Sequence, residues 1–255
     1  MQVNKAKIKQ KWLKTQLGKA LLKQECLLLE NALDGVFGEH FLQLGLWGDV
    51  NTFKNFTRTQ YCSIVSEYDS FQSGFEKPSI ISNLYQLPVE SNSIDAILLP
   101  HSLDYCDQPH AILREVDRVL RRDGKLIILG FRPGGLWGLR RLLPGAGIPP
   151  AANYLISERR MKDWLQLLDM RIESALRYFF RLPFQSNNAK DNSKWEMRGQ
   201  SWWPELSACY MLSAQKRVST FTSVRPLWRR QPRVVTGMIK SQRQLPKIRF
   251  ERNKN

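Results

Sequence analysis

One histidine of this chain stands among residues suited to acid–base work. His101 lies in Pro100-His101-Ser102-Leu103-Asp104-Tyr105, and an imidazole near its ordinary pKa can take a proton around neutrality. We expect His101, seconded by Tyr105, to supply any catalytic proton transfer. The competing reading has His101 orienting the backbone of its loop. The four cysteines, Cys26, Cys62, Cys106 and Cys209, form no CxxC pair, and His40, His101 and His110 are the only histidines. No metal-ligand spacing results, so no metal is expected, and the unpaired thiols suit a reduced compartment.

A second group of candidates lies between residues 132 and 156, where Pro and Gly recur too often for a long regular element. Arg132, Trp137 and the pair Arg140-Arg141 fall in this stretch. Loops that leave the carboxyl ends of strands form the ligand crevice of an open α/β sheet. Trp137 and Arg140 are therefore expected on a lid or substrate wall, with Arg132 at the crevice edge to meet a carboxylate or phosphate. The alternative is a surface excursion packed down by Leu136, Trp137 and Leu142.

The elements that must position these residues are readable from apolar periodicity. Residues 5–33 lack Pro, contain only Gly18, and place Leu13, Leu17, Ala20, Leu21 and Leu28 on one stripe, which reads as a single amphipathic helix packed on the core. Strands are expected at Phe41–Gly45, Cys62–Val65, Ser79–Ser82, Ile94–Pro100, Lys125–Phe131, Arg171–Phe180 and Ala208–Gln215, with helices at His110–Leu120 and Glu158–Leu168. The runs Ile94–Leu99 and Leu126–Gly130 are continuously apolar, as in strands covered on both faces of a parallel sheet. Between them, one helix and the turn Arg122-Asp123-Gly124 make a βαβ unit. Arg114, Glu115, Asp117 and Arg118 read as helix solvation and crossover salt bridging, and Asp95 as a structural acid at a strand entrance.

The formal charge of +16 is concentrated at the two ends. Residues 1–23 carry seven Lys and no acid, residues 217–255 carry eleven Lys or Arg and one Glu, and the middle is close to neutral. Such ends attract polyanions without reading bases, or serve as solubilising tails. Phe221 and Trp228, interleaved with Arg, suit stacking on single-stranded RNA. The N-terminus lacks a signal-peptide h-region, no apolar run approaches the length of a membrane span, and the expected location is cytoplasmic. The domain reading is a helix in 1–38 packed on the core, one α/β domain in 39–216, and a basic tail in 217–255 that is expected to be disordered.

Three runs in order resemble the centre of a class I S-adenosylmethionine-dependent methyltransferase: Leu87-Pro88-Val89-Glu90-Ser91-Asn92-Ser93-Ile94-Asp95, then Pro100 to Tyr105, then Leu113-Arg114-Glu115-Val116-Asp117-Arg118-Val119-Leu120-Arg121-Arg122-Asp123-Gly124-Lys125-Leu126. The similarity extends over roughly residues 12–216, and is nearest to a small uncharacterised bacterial branch with a degenerate glycine motif. It implies a Rossmann-like, seven-stranded, mostly parallel sheet with a reversed last strand. It also implies S-adenosylmethionine as cofactor and methyl transfer to an acceptor, a small molecule or RNA.

By the same resemblance, the first strand should end in an acid followed by closely spaced glycines that let the backbone approach the methionine part of the cofactor. The matching stretch is Gln43-Leu44-Gly45-Leu46-Trp47-Gly48-Asp49, with Gln43 in the acid's place and Trp47 in the second glycine's. Glu67 or Asp69 matches the ribose-binding acid after strand two. Asn83 matches the residue beside the adenine, with Leu84 next to it, and Pro100 closes strand four. The Trp47 ring either turns out of the crevice or fills the cofactor's place, and we expect the outward ring. The alternative to an enzyme is an inactive methyltransferase-like binding protein whose basic tails contact RNA or another polyanion.

Overall fold

A computed structural model describes residues 2–67, 78–140, 152–181 and 203–217. Contacts group Met1–Ser219 into one unit and Thr220–Asn255 into another, and every described residue lies in the first. The expected tail beyond Arg217, together with Asp69, Arg141 and Leu142, falls outside the described residues.

Seven strands form one sheet: β1 (Phe37–Leu44), β2 (Arg58–Ser66), β3 (Ile80–Ile81), β4 (Ile94–Pro100), β5 (Leu120–Phe131), β6 (Met170–Tyr178) and β7 (Cys209–Lys216). Their order is β3-β2-β1-β4-β5-β7-β6, and β7 runs antiparallel to both β5 and β6. The other pairings are parallel, so the chain has the Rossmann-like sheet with a reversed last strand. The strand order reverses direction between β1 and β4, and an open parallel sheet offers its ligand crevice at that switch point.

The apolar runs are buried on both faces, as their lack of alternation requires. Ile97, Leu99, Leu126 and Ile128 enter one core, while Ala96, Leu98, Ile127 and Leu129 enter the other. The first core is covered by α4 (Pro109–Val119) and α6 (Glu158–Leu167). In α4, Pro109 takes the first-turn position where its missing N–H costs nothing, and Ile112, Leu113, Val116 and Val119 form the buried stripe. Short helices α3 (Ser102–Tyr105) and α5 (Leu136–Arg140) follow β4 and β5.

The second core is covered by two N-terminal helices where the sequence reading places one: α1 (Gln2–Leu13) and α2 (Gln16–Leu33). The break is chemical. Thr15 adopts an extended conformation and its hydroxyl accepts a hydrogen bond from the Gly18 amide at 3.3 Å, a side-chain N-cap that restarts the helix. Gly18 is required because a Cβ there would lie 2.5 Å from the Trp12 carbonyl oxygen. The leucine stripe thus continues across a bend, which swings α1 over the carboxyl ends of the strands. No helix among the described residues is long and apolar enough to cross a membrane.

Asp95 has the structural role expected of it. Its carboxylate accepts the Glu39 and His40 amides at 2.8 and 2.9 Å and pairs with Arg121 at 2.8 Å. Glu115 and Arg118 do more than solvate α4. Glu115 accepts the Leu87 amide at 2.7 Å, and Arg118 donates to the Leu87 and Val89 carbonyls, tying down the segment that leads into β4.

Candidate functional site

A crevice open to solvent lies at the carboxyl ends of β1, β2 and β4. Gly45 and Leu46 follow β1, Ser66 and Glu67 end β2, Leu84 follows β3, and Ser102, Tyr105 and Cys106 follow β4. Lys5, Ala6 and Lys9 of α1 form its roof. Gly45 holds φ +89 and donates its amide to the Val65 carbonyl at 2.8 Å. A Cβ at this position would lie 2.4 Å from the Ser102 hydroxyl oxygen, so the close approach over Gly45 is made by Ser102, whose hydroxyl also donates to the Leu44 carbonyl.

Of the expected cofactor residues, Gly45, Glu67 and Leu84 line the crevice. Glu67 is half-buried; desolvation raises its pKa, against the Leu84 amide that donates to its carboxylate. Asn83 is exposed beside the crevice, and its side-chain oxygen accepts the Tyr85 amide at 2.9 Å. Gln43 is buried and donates to the Gly45 carbonyl at 3.0 Å, so it braces the loop backbone in the position where an acid was expected to face a ligand. Pro100 is buried at the end of β4 and is not among the lining residues.

The outward ring expected for Trp47 is corrected: the side chain has no solvent exposure and does not line the crevice. Its ring packs at 4.4 Å from the His101 ring and 6.0 Å from Phe131, and its Nε1–H donates to Glu25 Oε2 at 2.7 Å. A buried carboxylate and an aromatic wall draw the indole under the loop, and positive φ at Gly45 and Gly48 on either side permits the turn.

The role of general base expected for His101 is corrected by the same cluster. His101 is fully buried between Trp47 and Phe131, with Nε2 at 2.7 Å from Glu25 and Nδ1 at 3.3 Å from Asp104. Burial lowers its pKa, but the two carboxylates outweigh burial and hold it above the ordinary histidine value. With each ring nitrogen at bonding distance of a buried carboxylate, the imidazole turns neither nitrogen to a substrate proton. Glu25 also accepts the Tyr178 hydroxyl at 3.1 Å, so α2, β4 and β6 meet at one carboxylate. Burial raises the Asp104 carboxyl, whose Oδ2 also accepts the Phe131 amide at 3.1 Å. Of the expected catalytic pair, only Tyr105 lines the crevice.

The substrate-side loop is corrected in two places. Arg132 is buried and committed to the turn before β7, donating to Glu205 Oε2 at 2.8 Å and Ser207 Oγ at 2.7 Å. Trp137 is a core residue with no exposure, its ring 5.7 Å from Trp12 and 5.2 Å from Phe179, and its Nε1–H on the Arg181 carbonyl at 2.9 Å. A large apolar ring gains more from that contact than from a wet loop. Arg140 ends α5, half-buried.

Lys9, Glu25 and Ser102 were missed as site residues. Lys9 and Glu25 carry a signal at spacing four: Lys9, Leu13, Leu17, Leu21, Glu25, Leu29 and Leu33 are all buried. A charge on an otherwise apolar stripe marks a polar group the fold must satisfy. The Cys106 thiol, though it lines the crevice, is pushed up to about 12 by burial and the nearby Asp104 and Glu67 carboxylates, which makes it inert at neutral pH.

Residues 54–128 match the family described as "Methyltransferase domain". The chain is 32% identical over 157 residues to the uncharacterized protein YafS of Escherichia coli (strain K12), covering 61% of this chain and 62% of that protein. It is 34% identical over 86 residues to a malonyl-[acyl-carrier protein] O-methyltransferase of Laribacter hongkongensis (strain HLHK9), covering 34% of this chain and 29% of that enzyme. Each match therefore spans less than two thirds of the relative's length. Among solved structures, a SAM dependent methyltransferase from Archaeoglobus fulgidus superposes with TM-score 0.53 at 14% identity, covering 76% of this chain and 94% of that one. The [4+2]-cyclase SpnF superposes with TM-score 0.52 at 13% identity, covering 76% and 80%. Sheet order, crevice position and these matches agree: the chain has the class I S-adenosylmethionine-dependent methyltransferase-like fold, and its residues 54–128 carry the similarity to the methyltransferase domain.

Proposed function

We propose that the protein binds S-adenosylmethionine in the crevice beneath α1 and transfers its methyl group to an acceptor nucleophile, a small molecule or RNA. The observation that carries this reading is the Glu67 carboxylate at the carboxyl end of β2, facing the same void as Gly45 and Leu84. A carboxylate there can accept both hydroxyls of a ribose, while Leu46 and Leu84 offer apolar walls. Asn83 Oδ1 retains a second lone pair for an exocyclic amine. The bound cofactor supplies an electrophilic methyl on a sulfonium.

The chain's own contribution is apposition. With His101 doubly engaged, Tyr105, which lines the crevice, is the residue assigned to orient an acceptor on the β4 side. Aligned contact between nucleophile and sulfonium supplies much of such a rate without a strong base. The acceptor then has to be a nucleophile that water can deprotonate.

The test is calorimetric titration of the purified chain with S-adenosylhomocysteine, alongside Glu67→Ala. We expect wild-type binding that the substitution weakens about tenfold or more, the loss of a charged hydrogen-bond partner. Absence of wild-type binding removes the reading. A second reading, a binding protein without transfer, is favoured by the commitment of His101 to Glu25 and Asp104 and by the likeness to a cyclase, since a fold does not determine its reaction. Binding without transfer of labelled methyl to any small-molecule or RNA fraction of a cell extract would select it.

A further inference from the structure

The roof of the crevice contains a cation whose burial nothing in the fold explains. Lys9 is 7% exposed, yet among the described residues no carboxylate or carbonyl comes within bonding distance of its ammonium. Its neighbours are aromatic: Nζ lies 5.0 Å from the centre of the Tyr105 ring and 5.7 Å from that of Trp47. These faces steady a cation but do not replace its hydration. Desolvation pulls the ammonium down to about 8, against the opposing charge of Glu67. A leucine here would continue the stripe of Leu13, Leu17 and Leu21 with none of that cost.

The second roof cation, Lys5, is already bonded, donating to Asn153 Oδ1 at 2.6 Å. Lys9 is therefore the charge presented to the void, on the side of Tyr105 and of the loop holding Trp47, whereas Glu67 sits at the end of β2 beside Leu84. The crevice lining thus carries one cation and one carboxylate. Matching it takes a ligand that offers an anion to the one and hydroxyl donors to the other.

We propose that Lys9 recognises the carboxylate at the amino-acid end of the bound ligand, and that α1 is thereby part of the binding site as well as its cover. This rests on the reading of the crevice as a site for S-adenosylmethionine. Glu67, assigned there to the ribose, fixes one end of the ligand; Lys9 fixes the other and distinguishes an amino-acid-bearing thioether from a plain nucleoside thioether. The carboxylate supplies the partner that the fold withholds, so the ammonium is charged and paired in the complex. Gln43, turned to the Gly45 carbonyl, takes no part.

The experiment compares S-adenosylhomocysteine with 5′-methylthioadenosine, which has the same nucleoside and sulfur but no amino-acid end, on wild type, Lys9→Met and Lys9→Arg. We expect wild type to prefer S-adenosylhomocysteine by about tenfold or more, and Lys9→Met to lose that preference while holding 5′-methylthioadenosine within about twofold. Lys9→Arg should keep it. Equal wild-type affinity for the two ligands overturns the proposal with no variant needed. Parallel losses of both ligands in Lys9→Met also overturn it, since they make Lys9 a structural part of the roof. If wild type binds neither ligand, the reading of the crevice itself fails, an outcome distinct from binding without discrimination.

Discussion

Glu25 of α2 and His101 after β4, separated by 76 positions in the chain, meet at 2.7 Å with neither side chain exposed to solvent. This contact joins α2 to the residue that follows β4. Removing one member of a buried pair leaves the other as an unpaired charge, which costs about 3–5 kcal/mol. Glu25→Ala should lower the stability to urea by that order. Glu25→Gln should cost less, because its amide oxygen can still accept from Trp47 or Tyr178. The pH dependence has a definite sign. His101 titrates above its unfolded value, so its contribution is fully present below about pH 6.5 and lost as pH rises through the higher folded value. The stability gap between wild type and His101→Asn should therefore shrink as pH rises, in urea titrations run at a series of pH values; asparagine suits the positive φ of this position. A constant gap would mean that the ring acts by packing alone.

Lys9 should cost the ligand-free protein stability. Its folded pKa of about 8 lies below the value of 10.5 for a free lysine, so at neutral pH both states are charged and the folded state bears the desolvation penalty. That penalty is relieved as pH rises between the two values. Lys9→Met is expected to raise the melting temperature at pH 7 by roughly 2–4 °C per kcal/mol recovered, with the gain fading toward pH 10. Calorimetry at pH 7 and pH 10 checks both.

Gly45 and Ser102 should be coupled. Gly45→Ala places a Cβ in a positive-φ position and against the Ser102 hydroxyl, which is expected to cost about 1–3 kcal/mol for the backbone alone and more for the overlap. Ser102→Gly in the same chain should recover the overlap and leave the backbone cost. A double-mutant cycle in urea that showed strict additivity would place the whole cost in the backbone.

The basic C-terminal stretch should act on polyanions by charge alone. Deleting residues 219–255, which carry most of the positive charge of that end, is expected to reduce retention on heparin or RNA in a salt-dependent way, while leaving cooperative melting nearly unchanged. Chromatography across a salt gradient, paired with a melting curve, separates this from a stretch that packs on the rest of the chain.

What the sequence by itself determined is the part of the protein carried by local signals. The bounds Ile94–Pro100 were readable because an apolar run buried on both faces shows in composition without a partner strand. The helices expected at His110–Leu120 and Glu158–Leu168 begin within a residue of α4 and α6. Tertiary structure decided the rest, because periodicity reports which face of an element is apolar and is silent on what that face meets. Trp47 turned inward because Glu25 waits beneath it, and Arg132 was taken by Glu205 across 73 positions. Trp137 left its glycine-rich loop for Trp12, Phe131 and Phe179, and the bend at Thr15 carried Lys9 over the crevice. Side chains that could serve chemistry if exposed become structural when a distant partner satisfies them, and only the folded chain brings those partners together.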